Sequence, residues 1–172
     1  MNRAPIWFER KFDFSLPVEL LPNVCARLRG TSGRMEEALA GRRHEILIAK
    51  PQGKWSAQEH AGHLWDLEPL WLARVNDFAA RADRLTVADL SNRKTDQANH
   101  NSRPLEYILI GFRAAREKLL KRVDELDSSL FSQTIPHPRL KTPMRLIDHL
   151  YFAAEHDDHH LAAIWEQVRP ED

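Results

Sequence analysis

Leu20, Val24, Leu28, Met35 and Leu39 recur at helical spacing and predict a first helix over about residues 17–41. Pro22 is tolerated in its first turn, whereas Gly30 and Gly33 each cost about 1 kcal/mol relative to alanine and predict a kink or break. A second helix opens on Ser56, with Glu59 three residues later completing a capping box. Leu64, Leu67, Trp71 and Val75 supply its apolar face toward about residue 82, and Pro69 inside it should bend it. From about 84 to 103 the chain is polar and reads as a long connection, a kind that is often functional.

A third helix is predicted from Ser102 as cap and Pro104 as first residue. Leu105, Ile108, Leu109, Phe112, Leu119, Val123 and Leu126 line its inner face. After a Pro-containing loop over about residues 128–141, Thr142 as cap and Pro143 as first residue open a fourth helix. It runs to about Val168, with Leu146, Leu150, Ala153 and Ile164 on its core face. Alternating strand-type runs are scarce. Four amphipathic helices predict an all-α, single-domain four-helix bundle over residues 1–172, with its core at about 17–168.

Composition removes several alternatives. Twenty-five basic residues balance twenty-five acidic ones, so bulk charge draws the chain to neither nucleic acid nor anionic lipid. No apolar run approaches the roughly 20 residues of a membrane span, and the N-terminus lacks a signal-type core. Cys25 is the single cysteine and sits in the apolar stripe of the first helix, which fits a reducing compartment; the expected location is the cytoplasm. Trp7, Arg10 and Lys11 form a small basic-aromatic cluster, read as N-terminal packing rather than as a nucleic-acid contact.

Nine histidines is a high count for this length. His156 and His160 are four apart on the fourth helix and continue its inward stripe, so both imidazoles can reach one metal ion. The second helix offers a third, His63, in phase with Leu67 and Leu70; His60 can share that face. Three neutral imidazoles leave coordination positions open, as in catalytic sites, whereas His60 as a fourth ligand would close the shell. A lone His63 is more often a hydrogen-bonded core or surface histidine, and His159 falls about 100° round the helix from His160, at the surface or behind the site. His156-Asp157-Asp158-His159-His160 also has the outline of H-E-x-x-H, but aspartate is one methylene short and the rest of a zinc protease is missing.

Trp55-Ser56-Ala57-Gln58-Glu59 with His63-Leu64, and Ala154-Glu155-His156-Asp157-Asp158-His159-His160-Leu161, resemble the two signatures of the DinB/YfiT-like superfamily. His137-Pro138-Arg139-Leu140 is similar to a segment of some members. The resemblance covers about residues 17–168 and implies a bundle of up-down-down-up topology. It also implies a divalent transition metal, zinc or nickel, held by His63, His156 and His160, and a homodimer. It implies, too, a small-molecule substrate, a low-molecular-weight thiol as co-substrate in the transferase branch, and no DNA binding; the absence of a long apolar run adds the expectation of no membrane partner.

Thiol-dependent S-transfer and metal-dependent hydrolysis differ only in which nucleophile occupies the open position, and the family resemblance slightly favours S-transfer. A non-catalytic metal-binding stress module and a metal-free interaction bundle are the competing classes. Asp157 and Glu155 are candidates to orient an imidazole. Glu59 is a cap, Asp66 faces either the cavity or solvent, and Arg74 either meets an anionic substrate or pairs with a helix carboxylate.

Overall fold

Ser56 begins the best-defined element. Its hydroxyl accepts from the Glu59 amide while the Glu59 carboxylate accepts from the Ser56 amide, so both ends of the capping box close. In the computed structural model, which describes residues 5–169, this cap opens a helix from Ala57 to Ala79 that runs through Pro69. In chain order the α-helices are α1 Leu21–Arg29, α2 Thr31–Leu39, α3 His44–Ile48, α4 Ala57–Ala79, α5 Arg93–Ala98, α6 Leu105–Asp124 and α7 Leu146–Val168. The expected first helix is divided into α1 and α2 at Gly30, whereas Gly33 lies inside α2 without interrupting it.

Side-chain pairs give the helix directions. Gln58 at the start of α4 donates to the carbonyl of Arg103, just ahead of α6; Glu68 meets Arg116, and Asn76 meets Arg122. Rising numbers match rising numbers, so α4 and α6 run parallel, which the long connection between them permits. Gln167 at the end of α7 donates to the carbonyl of Trp55, ahead of α4, so those two are antiparallel. Leu28 contacts Arg116 and Glu36 contacts Arg113, so α1 and α2 oppose α6. The result is an up-down-down-up four-helix bundle, α1–α2 forming the first arm.

The long connection over 84–103 carries α5 and a single 3-10 turn at His100–Ser102. Two local expectations are corrected. Pro104 is the cap of α6 rather than its first residue. Thr142 and Pro143 do not start α7: Pro143–Met144 pairs antiparallel with Ile135–Pro136, and Arg145 caps the helix with Asp148 returning to its amide. The dipeptide pairing takes up the segment that would otherwise have been the first turn.

Two apolar clusters fill the bundle. The larger gathers Leu28, Trp71, Val75, Phe78, Leu119 and Leu150; the second packs Met35, Leu64, Ile108, Phe112 and Ile164. Cys25 is buried in the first, and burial pushes its thiol pKa up, as expected for a packing residue. No helix among the described residues is long and apolar enough to cross a membrane.

Candidate metal centre

His63 on α4 and His156 and His160 on α7 are brought together. All three are buried, and one ligand atom from each lies within 4.8 Å of the others. The antiparallel contact of α4 with α7 does this, because the inward stripes of the two helices cross at these positions. Burial, reinforced by the neighbouring histidines, lowers the His63 pKa to about 3 and holds His156 and His160 well below the usual 6.5. The imidazoles are neutral at neutral pH, so each carries a lone pair.

Hydrogen bonding fixes where those lone pairs point. The Thr95 hydroxyl donates to Asp66 Oδ2 at 3.0 Å, so toward His63 it acts as acceptor. His63 donates to it from Nδ1 at 2.9 Å, which leaves Nε2 as the free acceptor. Asp66 also accepts from His100 Nε2 at 2.8 Å, and burial is outweighed by these contacts so that its pKa is lowered. On α7, the Nε2 atoms of His156 and His160 stand 3.2 Å apart. Two ligands bound tetrahedrally at zinc–nitrogen distances of about 2.0–2.1 Å would be separated by about 3.3 Å, so the donor set fits a first-row divalent ion. His160 Nδ1 lies 2.8 Å from His60 Nδ1, an arrangement in which His60 accepts and His160 keeps Nε2 for the cluster.

His60 therefore stands behind His160 rather than among the clustered donors. His159 is half-buried, edge-on to His160 at 5.2 Å, and it lines the cavity beside the cluster. That cavity has a volume of about 1260 Å³ and is walled by Trp55, Leu67, Leu70, Trp71 and Phe152. Trp55 lies 4.6 Å from His63 and Trp7 4.9 Å from His156, ring centre to ring centre.

Several assignments from sequence change. Asp157 orients no imidazole: it accepts from Arg116 Nη1 at 2.7 Å and from Thr31, in a buried group that also contains Glu68. Burial disfavours the Arg116 charge, but Asp157 and Glu68 more than offset this and raise its pKa. Glu155 instead pairs with Arg10 and Arg27. Among the described residues Arg74 has no ion-paired carboxylate; its Nε donates to the Thr86 carbonyl at 2.9 Å. Glu59 is a cap, as expected, and Asp66 turns inward. Trp7 packs on Phe12, Phe152 and His156, as N-terminal packing predicts. Thr95 and His100, which complete the relay behind His63, were missed. They lie in a polar stretch whose only signal was its length.

The model of the DinB superfamily matches residues 26–164. Among solved structures, the chain is similar to YfiT from Bacillus subtilis, described as a probable metal-dependent hydrolase with an unusual four-helix bundle topology. The TM-score is 0.78 at 17% identity, covering 92% of this chain and 91% of that one. No curated protein sequence matches the chain.

Proposed function

The chain belongs to the DinB superfamily, and from that premise we propose that it is a metal-dependent enzyme whose site is carried by His63, His156 and His160. The observation that supports this most is the convergence of three buried, neutral imidazoles on one point at the wall of a large cavity. A divalent ion there, zinc or nickel, supplies Lewis acidity and lowers the pKa of a water or a thiol, so that a nucleophile is available near neutral pH.

The protein's own groups do the rest. Thr95 and Asp66 hold His63 with Nε2 turned inward, and His60 does the same for His160. Trp7, Trp55 and Trp71 pack around the cluster and form an apolar wall of the cavity beside it. A structural site would close its shell with a fourth protein ligand. His60 is committed to His160 instead, which favours catalysis over a stress module. Water as nucleophile is supported by the description of YfiT, and a low-molecular-weight thiol by the wider resemblance. The substrate is a small molecule, and a homodimer in the cytoplasm is the expected working form.

Elemental analysis of untagged wild type beside His63→Ala and His156→Ala tests the reading. About one divalent ion per chain is expected in the wild type and well under half of that in either variant, by analogy with sites that lose a third of their ligands. Metal-loaded protein is then offered ester and amide substrates with and without a thiol, which separates hydrolysis from S-transfer. A wild type that takes up no zinc or nickel on reconstitution would sink the proposal.

A further inference from the structure

In the wall of the cavity around Trp71, four side chains carry hydrogen-bond donors, and among the described residues no carboxylate is in contact with them. Arg74 on α4 is 1% exposed, yet among the described residues it makes a single hydrogen bond, from Nε to the Thr86 carbonyl. His137, 2% exposed, accepts at Nδ1 from the amides of Arg139 at 3.3 Å and Leu140 at 3.1 Å. A neutral imidazole that accepts at Nδ1 carries its proton on Nε2. That Nε2 is buried and has no partner among the described residues; the same holds for Arg139 Nη2 and for Trp71 Nε1.

All four residues line the cavity. They are close enough to act on one another. After burial, the charges of Arg74 and Arg139 are what depress the His137 pKa to about 3, and Arg139 likewise lowers that of Arg74. Among the described residues, Asp77 is the carboxylate whose charge acts on Arg74, but the two form no ion pair; the Asp77 Oδ2 accepts from the Thr86 amide. The contrast with Arg116 is direct. That guanidinium, equally buried, is neutralised by two carboxylates in contact. A buried cation with no carboxylate in contact is costly, and unpartnered donors beside it compound the cost.

We propose that Arg74, Trp71, His137 and Arg139 form an oxyanion-binding subsite that seats a carboxylate or phosphoryl group of the substrate. An oxyanion supplies the missing acceptors and the missing negative charge together, and guanidinium forks suit both groups. Trp71 links the subsite to the histidines, its ring centre lying 5.5 Å from the Arg74 guanidinium carbon and 5.7 Å from the His156 ring. The substrate is thus an amphiphile, anionic at one end, with an apolar body against Trp71 and Phe152 and its reacting group at the histidines. This assignment rests on the cavity being the substrate site of the proposed enzyme.

The test uses metal-free protein, so that an anion cannot score by binding a metal ion. Phenylacetate, phenyl phosphate and the neutral phenylacetamide are titrated calorimetrically into wild type, Arg74→Gln and Arg139→Gln. One of the anions is expected to bind about tenfold or more tightly than the amide, as charge-assisted pairing requires. Which one does so separates carboxylate from phosphate. Each variant should lose that preference and keep the amide affinity. Should Arg74→Gln fail to fold, Arg139→Gln decides, since Arg139 is only half-buried on a loop. Equal binding of all three probes, no anion binding at all, or an undiminished preference in a folded variant overturns the subsite. Because no metal is present, none of these results bears on the histidine cluster, and loss of metal stoichiometry would leave the anion result standing.

Discussion

At Thr95 a single hydroxyl decides a tautomer. Because it donates to Asp66, it must accept from His63, and His63 then presents Nε2 to the cluster. Thr95→Val keeps the shape and removes the relay, leaving His63 free to turn or to hold its proton on the wrong nitrogen. Metal affinity, measured by competition with a chromophoric chelator, should fall about 10- to 100-fold, the usual effect of losing such an orienting partner. Unchanged affinity would show that packing by Trp55 alone holds the ring. Asp66, which the sequence left between cavity and solvent, matters through this bond rather than as a ligand.

Within α4, Gly62 is required by close approach rather than by backbone conformation. A Cβ there would stand 2.3 Å from the His100 ring, whose Nε2 holds Asp66. His100 is buried and cannot move aside freely. Gly62→Ala should therefore destabilise by about 1–3 kcal/mol, the usual cost of overpacking, and weaken metal binding by displacing Asp66. Gly33 is the control. It lies inside α2, where an added Cβ meets nothing within 4 Å. Gly33→Ala should raise stability by roughly 0.5–1 kcal/mol in urea unfolding through helix propensity. Similar effects at the two positions would mean that helix propensity, not the His100 contact, governs Gly62.

Across the whole bundle, two buried arginines play opposite parts. Arg116 on α6 ties Glu68 of α4, Asp157 of α7 and the Leu28 carbonyl of α1, so it joins all four arms. Arg116→Met strands two buried carboxylates, and the expected loss is about 3–5 kcal/mol in urea denaturation. Arg74→Met strands only the Thr86 carbonyl and removes an uncompensated charge. Its cost should stay under about 1 kcal/mol, and a gain is consistent with the same physics. Equal losses would place a hidden counter-ion at Arg74 and weaken the case for the oxyanion subsite.

The helices, their inward faces and the pairing of His156 with His160 were legible in the chain because they depend on local periodicity. A residue four positions on shares a face whatever the rest of the protein does. The capping box at Ser56 was equally local. Family motifs extended the reading to the topology and to His63, which lies on a different helix. What α7 does at its start was not legible, because Thr142-Pro143 is as good a helix opening as Arg145 until Ile135–Pro136 pairs with it. Nor were the partners of Asp157, Glu155 and Arg74. A charged side chain on a helix takes whichever opposite charge or acceptor the packing delivers, and its sequence neighbours do not name it. Thr95 and the donors of Arg74, His137 and Arg139 come from segments far apart in the chain. Only the closed bundle sets Thr95 behind His63 and turns the other three toward one cavity.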